Sequence, residues 1–305
     1  MKPPSSLRDL RLRLEYAAVR AITALARLVP LRLAVRWSAR SWRILAPRLN
    51  PRRHRMALEN LAIAFPEKSE SERLAICIAH WENLGRVIAE TVQIDRVLRE
   101  PSRIEIGGQN LLARYRNKLG PAIGVSLHMG NWELAIWPLV VAGANPAALY
   151  RAIDNPYVDQ YLRSKRRALY PAGLIGRRSA EIGPLEDLRT AHRLMDHVRG
   201  GGRVGIVCDQ YYKRGIPVPF FGRMTLAQPI AAIVARRTGA RVWMARCLRV
   251  GADSRFRIEI KELRVPRSAN QSDDVRWVLA AMHRQFEGWI REAPDQWMWS
   301  HRIWR

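Results

Sequence analysis

From Gly120 onward the chain alternates short apolar runs with amphipathic stretches. Ala122-Ile123-Gly124-Val125-Ser126-Leu127 is followed by a helical pattern from Glu133 to Val141, Ala147 to Tyr150 by one from Tyr157 to Leu169. The rhythm returns in Arg203-Val204-Gly205-Ile206-Val207-Cys208, in Ala227 to Arg237 and in Ala240 to Val250. Strand followed by helix, repeated, predicts an α/β sheet layered with helices. Phe256-Arg257-Ile258-Glu259-Ile260 instead alternates apolar with polar residues, the pattern of a half-exposed strand, so the sheet is expected to be mixed, mostly parallel and flanked by helices. A last helix is predicted from Asp273 to Glu292, stopped by Pro294. Upstream, Ser69-Glu70-Ser71-Glu72 reads as a capping start for a helix carrying Leu74, Ile78, Trp81, Leu84 and Ile88 on one face.

The N-terminal fifty residues follow another pattern. Arg13, Arg20 and Arg27 recur every seven residues on one side of a helix, with Leu14, Ala18, Ala21, Leu25 and Leu28 on another. Pro30 interrupts, and Arg32, Arg36, Arg40 and Arg43 form a second stripe opposite Leu33, Trp37 and Ile44. These arginines leave no uncharged stretch of about 18 residues, so no clean transmembrane span is expected. Met1-Lys2-Pro3-Pro4 does not open a cleavable signal peptide. Two amphipathic basic helices with Trp at the apolar edge suit the headgroup region of an anionic bilayer. The competing reading is a helical hairpin packed on the body with its basic face solvated. With no repeat, low-complexity run or long linker, the expected organisation is an amphipathic, membrane-associating helical arm over residues 1–48 and a single α/β domain over 49–305.

Charge narrows the partners. The 305 residues carry 52 Lys and Arg against 27 Asp and Glu, a formal net charge of +25, and 46 of the 52 are arginine, the side chain suited to bidentate phosphate contacts. Nucleic acid, anionic lipid and an acidic carrier protein would all be attracted. A nucleic-acid binder is disfavoured, because the arginines are spread along the chain and no helix-turn-helix or RNP-type pattern occurs. Cys77, Cys208 and Cys247 are widely spaced and odd in number, which indicates neither a disulfide framework nor a zinc site and fits a reducing compartment. His54, His80, His192, His197 and His283 carry no partner pattern, and no metal or cofactor is implied.

The segment Ser126-Leu127-His128-Met129-Gly130-Asn131-Trp132-Glu133 lies where a strong strand ends and a helix begins, the usual place for a site in an α/β sheet. On a continuous helix His128 and Glu133 would stand about 140° apart, but a turn at Gly130 and Asn131 can bring them together. Asn131 is a suitable helix N-cap, and Glu133 in the first turn would be kept ionised by the macrodipole. Beside the imidazole such a carboxylate would fix its tautomer and raise its basicity, making His128 a general base. The pair is two-thirds of a triad without a nucleophile, which assigns the nucleophile to the substrate.

The His128-x4-Glu133 arrangement within H-M-G-N-W-E resembles the signature of the lysophospholipid acyltransferase superfamily, and its N-W-E form resembles the lipid A biosynthesis (lauroyl and myristoyl) acyltransferase branch. Asn60-Leu61 through Phe65-Pro66-Glu67, Asn83-Leu84-Gly85 with Glu90, Tyr150-Arg151 with Asn155-Pro156, Asp209-Gln210, Val218-Pro219-Phe220-Phe221-Gly222 with Thr225, and Pro294 to Arg302 are similar to further blocks of that family. Two departures stand out: arginines break up the family's apolar N-terminal anchor, and Arg223-Met224 follow F-F-G where smaller residues are usual. The resemblance implies a glycerol-3-phosphate-acyltransferase-like fold and a thioester donor, usually acyl carrier protein, otherwise acyl-CoA. It further implies a ternary-complex transfer in which His128 deprotonates the acceptor hydroxyl and Glu133 orients it. Asn131, Arg151 and Asp209 are the expected substrate contacts, Arg151 as a phosphate or sugar ligand. Pro219 to Gly222 reads as a packed turn and the Trp-rich tail, Trp297, Trp299 and Trp304, as core. The implied acceptor is a lipid A precursor at the cytoplasmic face of the inner membrane, with another phosphoglycolipid or an aminolipid as alternatives. An inactive membrane scaffold of the same fold is the remaining alternative, opposed by the intact His128 and Glu133.

Overall fold

A computed structural model describes residues 6–108, 110, 112–113, 120–177 and 184–304; the Met1 to Pro4 opening lies outside them. Helices α1 (Ser6–Leu28), α2 (Leu31–Leu49), α3 (Pro51–Ala64), α4 (Glu70–Thr91) and α5 (Ile94–Leu98) precede the sheet. Strands β1 (Ile104–Ile106), β2 (Ala122–Ser126), β3 (Pro146–Arg151), β4 (Leu174–Arg177), β5 (Arg203–Val207), β8 (Arg241–Val250) and β9 (Arg255–Leu263) form one sheet in the order β1-β9-β8-β2-β5-β3-β4. β8, β2, β5, β3 and β4 run parallel, while β9 pairs antiparallel with β8 and carries β1 alongside it. The mixed, mostly parallel sheet flanked by helices is therefore as the apolar rhythm predicts, with the alternating Phe256 segment as the reversed strand.

Connections supply α6 (Trp137–Val141), α7 (Pro156–Arg166), α8 (Pro184–Arg199), α9 (Ile230–Thr238) and α10 (Gln271–Glu292). β6 (Ile216–Phe220) and β7 (Arg223–Ala227) make a separate antiparallel hairpin that the sequence reading lacked. Its turn is Phe221-Gly222, both at positive φ, with Phe220 and Phe221 buried, so the packed-turn expectation for Pro219 to Gly222 holds in substance. Trp297, Trp299 and Trp304 are buried beside it and close the core.

The N-terminal helices pack on the body of the protein. α2 buries Ala34, Val35 and Ala39 against α4, and the approach is so close that a Cβ on Gly85 would stand 2.7 Å from the Ser38 carbonyl oxygen. α4 begins with the expected capping box, Ser69 and Glu72 exchanging hydrogen bonds. α1 is docked through its polar side. Arg13 meets Asp9 and the Tyr157 ring, Arg20 stacks on Tyr161, and Arg27 makes two 2.8 Å bonds to Asp95. The apolar stripe is turned outward, with Leu7, Leu10, Leu14, Ile22, Leu25 and Leu28 all more than half exposed. The hairpin reading with a solvated basic face therefore holds for α2, whose Arg32, Arg40 and Arg43 are exposed, while on α1 the leucine stripe is exposed as well as Arg13 and Arg20. Among the described residues no helix is long and apolar enough to cross a membrane.

Candidate active site

His128 and Asp209 are neighbours because of strand register. β2 and β5 are adjacent and parallel, with Ser126 opposite Val207, and the ladder continues through the Cys208 amide to the Ser126 carbonyl. Two residues further on, each chain leaves the sheet at its carboxyl end, where sites of α/β sheets lie. There His128 Nδ1 stands 2.7 Å from Asp209 Oδ1, and the His128 backbone amide donates to Asp209 Oδ2 at 2.8 Å. The Trp297 indole N–H donates to the same Oδ2 at 2.7 Å. Burial alone would raise the Asp209 carboxyl, but the imidazole and these donors outweigh it and hold the group below the usual carboxylate range. An ionised carboxylate opposite Nδ1 makes that nitrogen the protonated one, leaving Nε2 as the hydrogen-bond acceptor. Nε2 faces a cleft of about 420 Å³ lined by Glu133, Arg151, Arg166, Gln210 and Tyr211 among others, with the Gln210 amide 3.5 Å away. Trp132 packs edge-on against the imidazole at 5.1 Å between ring centres.

Glu133 is in the cleft wall, but its carboxylate faces Arg166 at the end of α7. Arg166 Nε donates to Glu133 Oε2 at 2.9 Å, and Nη2 makes a second, shorter bond to Oε1. Burial would lower the Arg166 guanidinium, but Glu133 more than offsets this and drives it above its ordinary range. The hydrogen bond expected from Glu133 to the imidazole is thus made by Asp209, whose position in the sequence gave no spacing signal to His128.

The turn between His128 and Glu133 is held from behind. Gly130 sits at φ +57° against β8, and a Cβ there would fall 1.8 Å from the Cys247 carbonyl oxygen, so only glycine fits. Its N–H donates to the Gln296 carbonyl at 2.9 Å and its carbonyl accepts from Asn83 at 3.1 Å. The Gly130 amide is therefore engaged by the C-terminal segment and does not face the cleft. Asn131 heads a 3₁₀ turn, Trp132–Ile136, without capping it through its side chain. Its side-chain amide donates at 2.9 Å to Glu90, which is fully buried and also accepts from Arg249 and Ser254. Asn131 has no exposed surface, so it braces the turn and does not line the cleft. Of the three expected substrate contacts, Arg151 alone has its side chain in the cleft lining.

Beside the polar cleft lies a small apolar chamber of about 80 Å³, sharing Trp132, Leu149, Tyr170 and Ile206 with it. Its floor is a hollow in the sheet where Gly124 pairs with Gly205, bounded by Ile136, Trp243 and Ala245. Among the described residues no group of three His, Cys, Asp or Glu is placed to hold a metal ion.

A carboxylate-backed imidazole thus stands at the carboxyl edge of an α/β sheet, in a cleft that adjoins an apolar chamber, where proteins of this fold class carry their sites. Residues 5–305 match the model of the bacterial lipid A biosynthesis acyltransferase family, and the chain belongs to that family and is an acyltransferase. It is 25% identical over 262 residues to a lipid A biosynthesis palmitoleoyltransferase of Escherichia coli (strain K12), covering 82% of this chain and 78% of that one. It is 26% identical over 269 residues to a lipid A biosynthesis lauroyltransferase of the same organism, covering 85% and 81%.

Proposed function

We propose that the protein transfers a fatty acyl group from a carrier-protein thioester to a hydroxyl of a lipid A precursor, at the cytoplasmic face of the inner membrane. The observation that carries this reading is the imidazole of His128, backed by Asp209 and lining a cleft that adjoins the apolar chamber. In the proposed reaction Nε2 takes the acceptor's hydroxyl proton while Asp209 steadies the imidazolium. The alkoxide oxygen attacks the thioester carbonyl carbon, the C–S bond breaks, and the departing thiolate recovers the proton from Nε2. The chamber takes only the few methylenes of the acyl chain that its volume admits, and Arg151 meets a phosphate or sugar oxygen of the acceptor in the cleft. Glu133 acts through Arg166, holding the guanidinium in the wall that both substrates pass.

The outward leucine stripe of α1 supports the membrane location. A helix that meets the body through Asp9, the Arg13 and Arg20 ring contacts and the Arg27 ion pair, and whose leucines face away from it, presents its apolar side to a lipid surface. The net charge of +25 supports an acidic carrier and an anionic bilayer as partners. The test is mass spectrometry of total lipid from cells with the gene, without it, and with His128→Ala. One lipid A species is expected to lose one acyl chain in both the deletion and the variant. An unchanged profile in the deletion would overturn the proposal.

A further inference from the structure

The C-terminal tail grips the catalytic segment at three consecutive residues. The Gln296 carbonyl accepts the Gly130 amide at 2.9 Å, Trp297 bridges Met129, and the Met298 amide donates to the His128 carbonyl at 3.0 Å. Trp297 adds a side-chain contact, its indole N–H on Asp209 Oδ2. The ring that carries this N–H is 2% exposed and wedged among Phe220, Phe221 and Trp299, at centroid distances of 5.9, 6.5 and 4.6 Å. Its donor direction is therefore fixed by packing and not by Asp209. Oδ2 takes this bond and the His128 amide, while Oδ1 is left to the imidazole.

We propose that Trp297 is a positioning residue for the transfer reaction: its indole N–H fixes the Asp209 carboxylate in the rotamer that serves His128 and draws off part of the negative charge that would otherwise act on the imidazole. This rests on the proposed roles of His128 and Asp209. A hydrogen bond to a carboxylate stabilises its charge locally and weakens its pull on a third group. The other charged or titratable groups around the pair are settled differently. His301, 6.0 Å from His128 between ring centres, and His283 on α10 are both lowered chiefly by burial, His301 to about 4. Glu133 is committed to Arg166, and Arg53 lies 3.3 Å from the His301 ring, with Arg151 across the cleft.

The test is Trp297→Phe, which keeps an aromatic ring and deletes the donor. In the full-length enzyme kcat is expected to fall ~10- to 100-fold with KM nearly unchanged, as for a misaligned base. The acid limb of the kcat/KM profile is expected to move to higher pH by about half a unit or more, because the carboxylate then stabilises imidazolium more strongly. Asp209→Asn should move that limb the opposite way. Trp299→Phe removes a neighbouring indole from the same aromatic cluster, one that donates to the Pro294 carbonyl, and should leave the limb in place. A fall in kcat for Trp297→Phe with an unmoved limb would reduce Trp297 to packing and overturn the inference. NMR titration of the His128 ring separates the two proposals, since its midpoint must move in Trp297→Phe even if the enzyme's substrates are other than those proposed. Should Trp297→Phe not fold, the indole N–H resonance of the unaltered protein serves instead. It is expected to be slow to exchange and to shift when Asp209 becomes Asn, and indifference to that substitution would overturn the inference.

Discussion

The imidazole of His128 meets Asp209, 81 positions further along the chain, at 2.7 Å, whereas Glu133 only five positions away turns to Arg166. Two carboxylates at one site thus have separate partners, one an imidazole and the other a guanidinium in the cleft wall. Asp209→Asn is expected to lower kcat by ~10³- to 10⁴-fold while leaving KM nearly unchanged, since it removes the group that holds the tautomer and stabilises imidazolium. Steady-state kinetics with purified enzyme check this. A residual kcat within about tenfold of the unaltered enzyme would return the orienting role to Glu133.

Glu133→Gln should behave differently. It leaves the Arg166 guanidinium, whose side chain is 16% exposed, without its anionic partner, and a buried charge stripped of its pair costs about 3–5 kcal/mol. The variant is therefore expected to lose stability and activity together. Glu133→Gln combined with Arg166→Met should recover a good part of the stability, because no uncompensated charge remains, without recovering the rate. Urea unfolding of the single and double variants measures the coupling.

Much of this architecture is legible in the sequence. The apolar runs at Ala122, Ala147, Arg203 and Ala240 are strands because parallel strands buried on both faces need continuous hydrophobicity, and the alternating Phe256 run is the reversed strand between β8 and the short edge strand β1. The strand-to-helix junction marks the site, and His128 is at its centre. What no local pattern reveals is which strands lie side by side. That β2 and β5 are neighbours in register is a property of the whole sheet, and it alone puts Asp209 beside His128. Local reasoning favoured the acid nearest in sequence and gave Asn131 a capping role, whereas its side-chain oxygen caps nothing and its amide donates to Glu90, a residue of α4. The β6–β7 hairpin escaped notice because Pro217 and Pro219 argue against a strand in general, although proline is compatible with an edge position in a two-stranded ribbon.

Leu14 and Leu25 lie on the outward side of α1, 61% and 64% exposed, and neither lines the catalytic cleft. Replacing both with Asp removes two insertion sites and adds two charges of the sign that anionic lipid repels. At about 1 kcal/mol or more per leucine, partitioning onto vesicles of anionic phospholipid should fall at least ~20-fold. Turnover on a detergent-dispersed substrate should stay the same. Sedimentation with vesicles and a detergent assay separate the two effects, and retained vesicle binding would refute the orientation proposed for α1.

The Gly124–Gly205 hollow offers a handle on acyl selection. A Cβ at Gly124 would meet its nearest neighbour, the Ile136 methyl, at 3.5 Å, an ordinary contact, so Gly124→Ala should fold normally while shortening the chamber. Each methylene denied burial weakens chain binding by ~0.8 kcal/mol, about fourfold, so preference should move toward donors one or two carbons shorter. Competition among carrier-bound acyl chains of different lengths reads the shift. An unchanged order of preference would place the acyl chain outside the chamber.

Acid should unfold this protein by way of its buried histidines before its carboxylates. His80 is 1% exposed, and burial pushes its imidazole down to about 3 from an ordinary 6.5, while His301 is lowered to about 4 chiefly for the same reason. In the unfolded chain both take a proton near pH 6.5, but in the folded protein they resist doing so. The unfolded state therefore binds more protons between about pH 6.5 and 3, and stability is full above that window and falls as the pH drops through it. Asp209, held below its ordinary range, adds to the loss only once the pH is below about 4. At ~1.4 kcal/mol per unit the His80 contribution amounts to a few kcal/mol at most. His80→Phe keeps an aromatic ring in the cavity and removes the titration, so its urea midpoint should decline less steeply between pH 7 and pH 5 than that of the unaltered protein. Equal slopes would mean that His80 gains access to water well before global unfolding.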